Sequence, residues 1–136
     1  MSGPHIVYAI DDDPELLASV DFLLQTMGIA CRSYRSAEEF LCDVGTLEPG
    51  CVLTDFRMPG LSGLDLQCAL LKRRCDWPVI FMTGIGEIAI VVLAIKRGAV
   101  EFMEKPFGDE RLLAALHAGF VKLRNSPAFA PRPAQA

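Results

Sequence analysis

Residues 51–63 read CVLTDFRMPGLSG. An apolar run of strand length closes on a single acid, Asp55, and the chain then turns through Met58-Pro59-Gly60. Proline pre-sets its φ and glycine leaves its own unrestricted, which is the chemistry of a tight turn. A strand that is apolar throughout is buried on both faces, as strands of a parallel sheet are. A carboxylate at its tip then marks the one place where such a strand meets solvent.

Working outward, strand-length apolar runs alternate with helix-period segments. HIVYAI (5–10) ends in Asp11, Asp12 and Asp13, and from Pro14 the apolar positions Leu16, Leu17, Val20, Leu23, Leu24 and Met27 follow the helical period up to Gly28. IACRSY (29–34) alternates like a strand with one wetter face. SAEEFLCDV opens with Ser36 as N-cap and Glu39 three residues on, a capping-box pattern. CVLTD is the third strand and 64–74 the third helix; PVIFMT (78–83) is the fourth strand, Glu87 to Arg97 the fourth helix closed by Gly98, and AVEFME (99–104) the fifth strand. A last helix runs over Asp109 to Arg124. Five strands, each followed by a helix, predict an α/β fold whose parallel sheet is covered on both faces. Its functional crevice lies beyond the carboxyl ends of the strands.

Composition narrows the function. A chain of 136 residues suits one domain, and 51% hydrophobic residues leave apolar surface for the outside. A net charge of −4 without a basic block argues against direct nucleic-acid binding by this chain. No cationic lead precedes a long apolar stretch, and the longest apolar run, Ile88 to Ile95, is too short to span a bilayer. Five cysteines without a CxxC pair read as reduced thiols, so the expected location is cytoplasmic, with no membrane contact. The tail NSPAFAPRPAQA (125–136) is Pro/Ala-rich and reads as a disordered linker.

The first strand delivers Asp11 and Asp12 to the crevice, the third Asp55, the fourth Thr83, and the fifth leads into Lys105. Asp13 stands apart, because it precedes Pro14 and suits the N-cap of the first helix. Carboxylates gathered this closely repel by about 4 kcal/mol per pair at about 4 Å and an effective dielectric of about 20. A hard divalent cation such as Mg²⁺ is the natural counter-charge, and it leaves coordination sites for a phosphate oxygen. Lys105 and Thr83 suit the remaining phosphate oxygens, and an aspartate oxygen can attack phosphorus to give an aspartyl phosphate.

The segments AIDDDPELL, VLTDFRMPGLSGLDL, PVIFMTG and GAVEFMEKPF, in that order, resemble the receiver domain of two-component response regulators, closest to the nitrogen-fixation (FixJ-like) branch. The resemblance covers roughly residues 5–124. It implies a flavodoxin-like, doubly wound five-stranded sheet of order 2-1-3-4-5 with five helices. It implies that Asp55 accepts a phosphoryl group from a phosphohistidine of a sensor histidine kinase or histidine phosphotransfer protein. Asp12, Asp55 and the backbone carbonyl of Arg57 would ligate Mg²⁺, with Asp11 acting mainly through water. Thr83 and Lys105 would bind the phosphoryl group, Phe102 would be the aromatic switch residue, and the Lys105–Pro106 bond would be cis.

Two features depart from the commoner pattern. Ile85, two past Thr83, stands where relatives often carry a polar residue; with Arg57 it would flank the path of hydrolytic water and lengthen the phosphorylated lifetime. EIAIVVLAIKR (87–97) is apolar almost all round. Its surplus face, with Ile90 and Leu93 near the centre, is expected to join the fifth strand and last helix in a homodimer or partner interface. Two other functions stay open: a haloacid-dehalogenase-like phosphatase using Asp11, and a pseudo-receiver that binds without phosphorylation. The chain is either a stand-alone receiver, which its length of 136 favours, or the receiver portion of a longer regulator.

Overall fold

Side chains alternate across a strand, so a strand buried on both faces must feed two cores at once. In the first strand, β1 (Ile6–Ile10), Val7 and Ala9 enter one core while Tyr8 and Ile10 enter the other. The computed structural model describes residues 6–84, 89, 92, 96, 98 and 101–125. The remaining strands are β2 (Ala30–Tyr34), β3 (Cys51–Asp55), β4 (Val79–Thr83) and β5 (Glu101–Glu104). All pair in parallel in the order β2-β1-β3-β4-β5, the order that the resemblance implied. β3 and β4 sit inside the sheet and are buried at every position, whereas β2 forms an edge with most residues exposed.

Helices α1 (Pro14–Thr26) and α4 (Asp109–Arg124) cover one face. Leu17, Leu24, Leu112 and Leu116 pack there against Val7, Leu53, Ile80 and Met82. Helices α2 (Ala37–Asp43) and α3 (Gly63–Lys72) cover the other, with Phe40, Leu66 and Leu70 against Tyr8, Val52 and Phe81. Local chemistry sets the helix starts. Asp13 caps α1 by accepting from the Glu15 N–H at 3.0 Å, and Ser36 caps α2 through the Glu39 N–H at 3.1 Å. The Glu39 carboxylate accepts from the Arg35 N–H at 3.2 Å, so the predicted box closes one residue early. A complete capping box forms instead at Ser62 and Asp65, opening α3.

Several boundaries move by a residue or two, as helix and strand ends do. The third helix stops at Lys72 rather than at 74, because Arg74 takes a left-handed backbone (φ 57°). β5 is described from Glu101. Of the predicted fourth helix, Ala89, Val92 and Lys96 are helical; Ile90 and Leu93, the proposed interface, lie outside the described residues, as do Ile85 and the tail beyond Asn125. Four α-helices are thus seen among the described residues where five were expected. No helix of the described residues is long and apolar enough to cross a membrane.

Helix α4 lies close on the sheet at Gly119, where a Cβ would fall 2.6 Å from Cys51 Sγ and 3.4 Å from Ile80 Cδ1. Gly119→Ala gains about 1 kcal/mol of helix propensity but overpacks a buried contact, which costs about 1–3 kcal/mol. Net destabilisation of about 1 kcal/mol is expected in thermal denaturation. The cost should vanish in a Cys51→Ala background; an equal penalty in both backgrounds would refute the contact.

Candidate functional site

Parallel pairing brings the carboxyl ends of all strands to one edge of the sheet. Asp55 is the last residue of β3, paired beside Met82 of β4, and the Phe56 N–H continues that ladder to the Met82 carbonyl at 2.8 Å. Asp11 follows β1, its N–H donating to Tyr34 O at 3.1 Å. Lys105 follows β5, its N–H donating to Thr83 O at 2.7 Å. Each functional side chain therefore leaves a backbone that the sheet already holds.

The ammonium of Lys105 reaches both buried acids, lying 2.9 Å from Asp11 Oδ2 and 3.0 Å from Asp55 Oδ1. Asp11 is 1% exposed and Asp55 7%. The other Asp11 oxygen, Oδ1, accepts from the Asp13 N–H at 2.9 Å. Asp12 is exposed, and its carboxylate completes a group of three in which one oxygen from each lies within 4.8 Å of the other two. One cation facing three carboxylates leaves the site net negative. Burial, and then the Asp11 charge, push the Asp55 carboxyl up to about 6, against the pull of Lys105. Burial also pushes the Lys105 ammonium down, but its bonds to Asp11 and Asp55 together hold it above the ordinary lysine value.

The loop after Asp55 is held by two groups that sequence reasoning passed over. Gly63 donates its N–H to Phe56 O at 2.9 Å, and a Cβ on it would run into the Asp55 carbonyl oxygen. Only glycine lets α3 start this close to the tip of β3. Glu38 of α2 reaches across to accept from the Leu61 N–H at 3.2 Å. The second glycine of PGLSG was a legible hint at the first; nothing local announces a carboxylate 23 residues upstream.

The other expected residues are placed as follows. Thr83 is buried, and its hydroxyl donates to Met103 O at 3.4 Å, a long bond. Phe102 is half-buried and packs on the core of Tyr8 and Phe81, its carbonyl accepting from Arg111 Nη2 at 2.6 Å. Arg57 is exposed in the turn after Asp55. The Lys105–Pro106 bond is cis. The structure thus brings Asp11, Asp12, Asp55 and Lys105 together. The donor set is all hard oxygen and carries excess negative charge, which fits a divalent cation of the Mg²⁺ type.

Comparison with known proteins agrees with this geometry. The family model of the response regulator receiver domain matches residues 7–117. The transcriptional regulatory protein FixJ of Azorhizobium caulinodans is 46% identical over 113 residues, covering 82% of this chain and 53% of that protein. The response regulator protein TmoT of Ectopseudomonas mendocina is 42% identical over 111 residues, covering 82% of this chain and 50% of TmoT. The crystal structure of FixJ-N superposes with a TM-score of 0.83 at 34% identity, covering 88% of this chain and 95% of that one. The chain spans about half the length of the curated relatives it matches. With its sheet order and acidic pocket added to these matches, the chain belongs to the response regulator receiver domains of two-component systems, on the FixJ-like side of that family.

Proposed function

We propose that this receiver takes a phosphoryl group on Asp55 from a phosphohistidine of a sensor kinase or histidine phosphotransfer protein, and that the change reorganises a partner-binding face. The observation that carries this reading is the single ammonium of Lys105 shared by Asp11 and Asp55 at the carboxyl edge of the sheet. A bond forms between an Asp55 oxygen and phosphorus while the phosphorus–nitrogen bond to the donor imidazole breaks. The imidazole leaves with the electron pair and takes up a proton. Lys105 then has a phosphoryl oxygen to hold in place of part of the Asp55 charge, which is electrostatic stabilisation of the transferring group. The Thr83 hydroxyl supports the same oxygens by giving up its long bond to Met103, and Phe102, on the strand that Thr83 bonds, is the residue placed to follow that movement.

Asp12, Asp55 and the Arg57 carbonyl are the groups that would hold Mg²⁺, which when bound offsets their mutual repulsion and the charge on the phosphoryl oxygens. Asp11 is suited to a water-mediated role, since Lys105 and the Asp13 N–H already engage its two oxygens. Those same bonds, and the Asp13 carboxylate's use as a helix cap, speak against a phosphatase with Asp11 as nucleophile. The module turns over no external substrate in this reading, and it works in the cytoplasm beside its kinase.

Two experiments test the reading. Radiolabelled phosphotransfer from a phosphorylated kinase, or from a small acyl phosphate, should label the wild type, fail on Asp55→Asn and stop when Mg²⁺ is chelated. Lys105→Ala should slow the transfer by about 10²-fold. Label retained on Asp55→Asn would move the acceptor elsewhere, and an unlabelled wild type would favour the phosphorylation-independent binding module.

The second concerns pH. The folded Asp55 carboxyl, held at about 6 against 3.8, binds its proton more tightly than the unfolded chain does. Its ionisation therefore costs folding stability as pH rises from 3.8 through 6, and the cost is complete above that window. In metal-free buffer Asp55→Asn should be the more stable protein at pH 7.5, by about 3 kcal/mol. The gap should close towards pH 4 and shrink when Mg²⁺ is added. Urea denaturation showing a pH-independent difference, or a less stable variant at neutral pH, would contradict the assigned electrostatics.

A further inference from the structure

Two acids stand side by side in the first turn of α2, and they do different work. Ser36 and Glu39 close the start of that helix between them, Ser36 Oγ on the Glu39 N–H and Glu39 Oε1 on the Arg35 N–H. The helix therefore has no need of the Glu38 side chain for its own cap. Glu38 instead crosses to the loop between β3 and α3, where its Oε2 accepts from the Leu61 N–H at 3.2 Å.

That loop runs from Asp55 to the N-cap of α3 at Ser62. Its last three amides are each given an acceptor. The Gly63 N–H donates to Phe56 O at 2.9 Å and the Ser62 N–H to Asp65 Oδ2 at 3.0 Å, both within the loop and the helix it enters. Leu61 takes its acceptor from α2, so Glu38 ties the loop to a different element of the fold. A carboxylate just ahead of a helix N-terminus is also favoured by the helix dipole. The neighbouring Gly60 is fitted to the same carboxylate. Its φ is 77°, and a Cβ on it would run into Glu38 Oε2.

The part of the loop that Glu38 steadies is the part that solvent would otherwise leave loose. Phe56 and Met58 are buried in the core, whereas Arg57, Pro59 and Gly60 are exposed. A side-chain ligand can adjust to an ion by rotating about its χ angles, but a backbone carbonyl moves only with its loop. Mg²⁺ demands near-ideal octahedral geometry with oxygens at about 2.0–2.1 Å, so the position of such a loop bears directly on affinity.

We propose that Glu38 is a positioning residue for the divalent cation, holding through Leu61 the loop that carries the Arg57 carbonyl. The inference rests on the reading that Asp12, Asp55 and that carbonyl hold Mg²⁺. Glu38 touches neither the ion nor the phosphoryl group; it acts through four residues of backbone. Groups that orient metal ligands from outside the coordination sphere typically change affinity by about 10–100-fold when removed, and a tie to the loop belongs at the lower end of that range.

The test is titration with MgCl₂, followed through the backbone amide resonances of residues 55–63 in the wild type, Glu38→Ala and Glu38→Gln. Glu38→Ala should raise the dissociation constant for Mg²⁺ by about tenfold. Glu38→Gln, which keeps an oxygen to accept from Leu61 but carries no charge, should stay within about threefold of wild type. Well-dispersed amide spectra without metal establish that both variants are folded. Equal affinity of Glu38→Ala and wild type overturns the positioning role while leaving the metal site in place. A Glu38→Gln protein as weak as Glu38→Ala also overturns it, because the acid would then act by charge rather than by holding the loop. Wild-type resonances that show no saturable shift remove the metal site itself, and this inference with it.

Discussion

The structure depends on one ammonium placed between two buried acids. Lys105, just past β5, lies within 3.0 Å of both Asp11, just past β1, and Asp55, the last residue of β3. Each acid alone would be costly to bury, and two of them close together more so. The lysine makes the pair tolerable without making it neutral, since Asp12 adds a third carboxylate within 4.8 Å. The remaining negative charge is a standing demand for a cation, and it lies at the residue proposed to receive a phosphoryl group. Charge compensation is left incomplete by design of the strand order, which sets β1 beside β3 and sends β5 across β4 to reach them.

The rest of the fold follows from holding those groups still. The polar backbone beyond each strand continues the sheet's hydrogen bonding, through Asp11, Phe56 and Lys105. Gly63 lets α3 press its first turn against the Asp55 carbonyl, and Glu38 ties the intervening loop to α2. Neither residue touches phosphorus in the proposed reaction. Both set where the Asp55 tip and the following turn can be, which is the precision that a shared coordination site requires.

A doubly wound sheet has two ends with different chemistry. At the carboxyl end, polar side chains converge and the strands terminate in acids and Thr83. At the amino end Trp77 and Leu71 line a groove together with Lys122 and Asn125 from the end of α4. Separation of the two ends by the length of a strand means that a ligand at one need not displace anything at the other. Coupling between them would have to pass through the packed elements themselves.

Much of this was legible in the sequence. CVLTD and PVIFMT announced buried strands by apolar runs that turn polar only at their carboxyl ends, and β3 and β4 are buried throughout. Asp13 before Pro14 announced a capped helix, because a cap is a contact between neighbours in the chain. The acids and Lys105 were legible as a set through their place at strand ends. Tertiary structure alone decided that one lysine would serve both Asp11 and Asp55, that Thr83 would bond β5, and that Glu38 and Gly63 would hold the loop. It also decided that Trp77, Lys122 and Asn125 would line one groove. Apart from that of Gly63 with Asp55 and Phe56, the bonds among these join residues 20 to 94 positions apart, such as Thr83 with Met103 and Asp11 with Lys105. A sequence records periodicity and local caps because those arise within a few residues; distances across a sheet exist only once the strands have been ordered and packed.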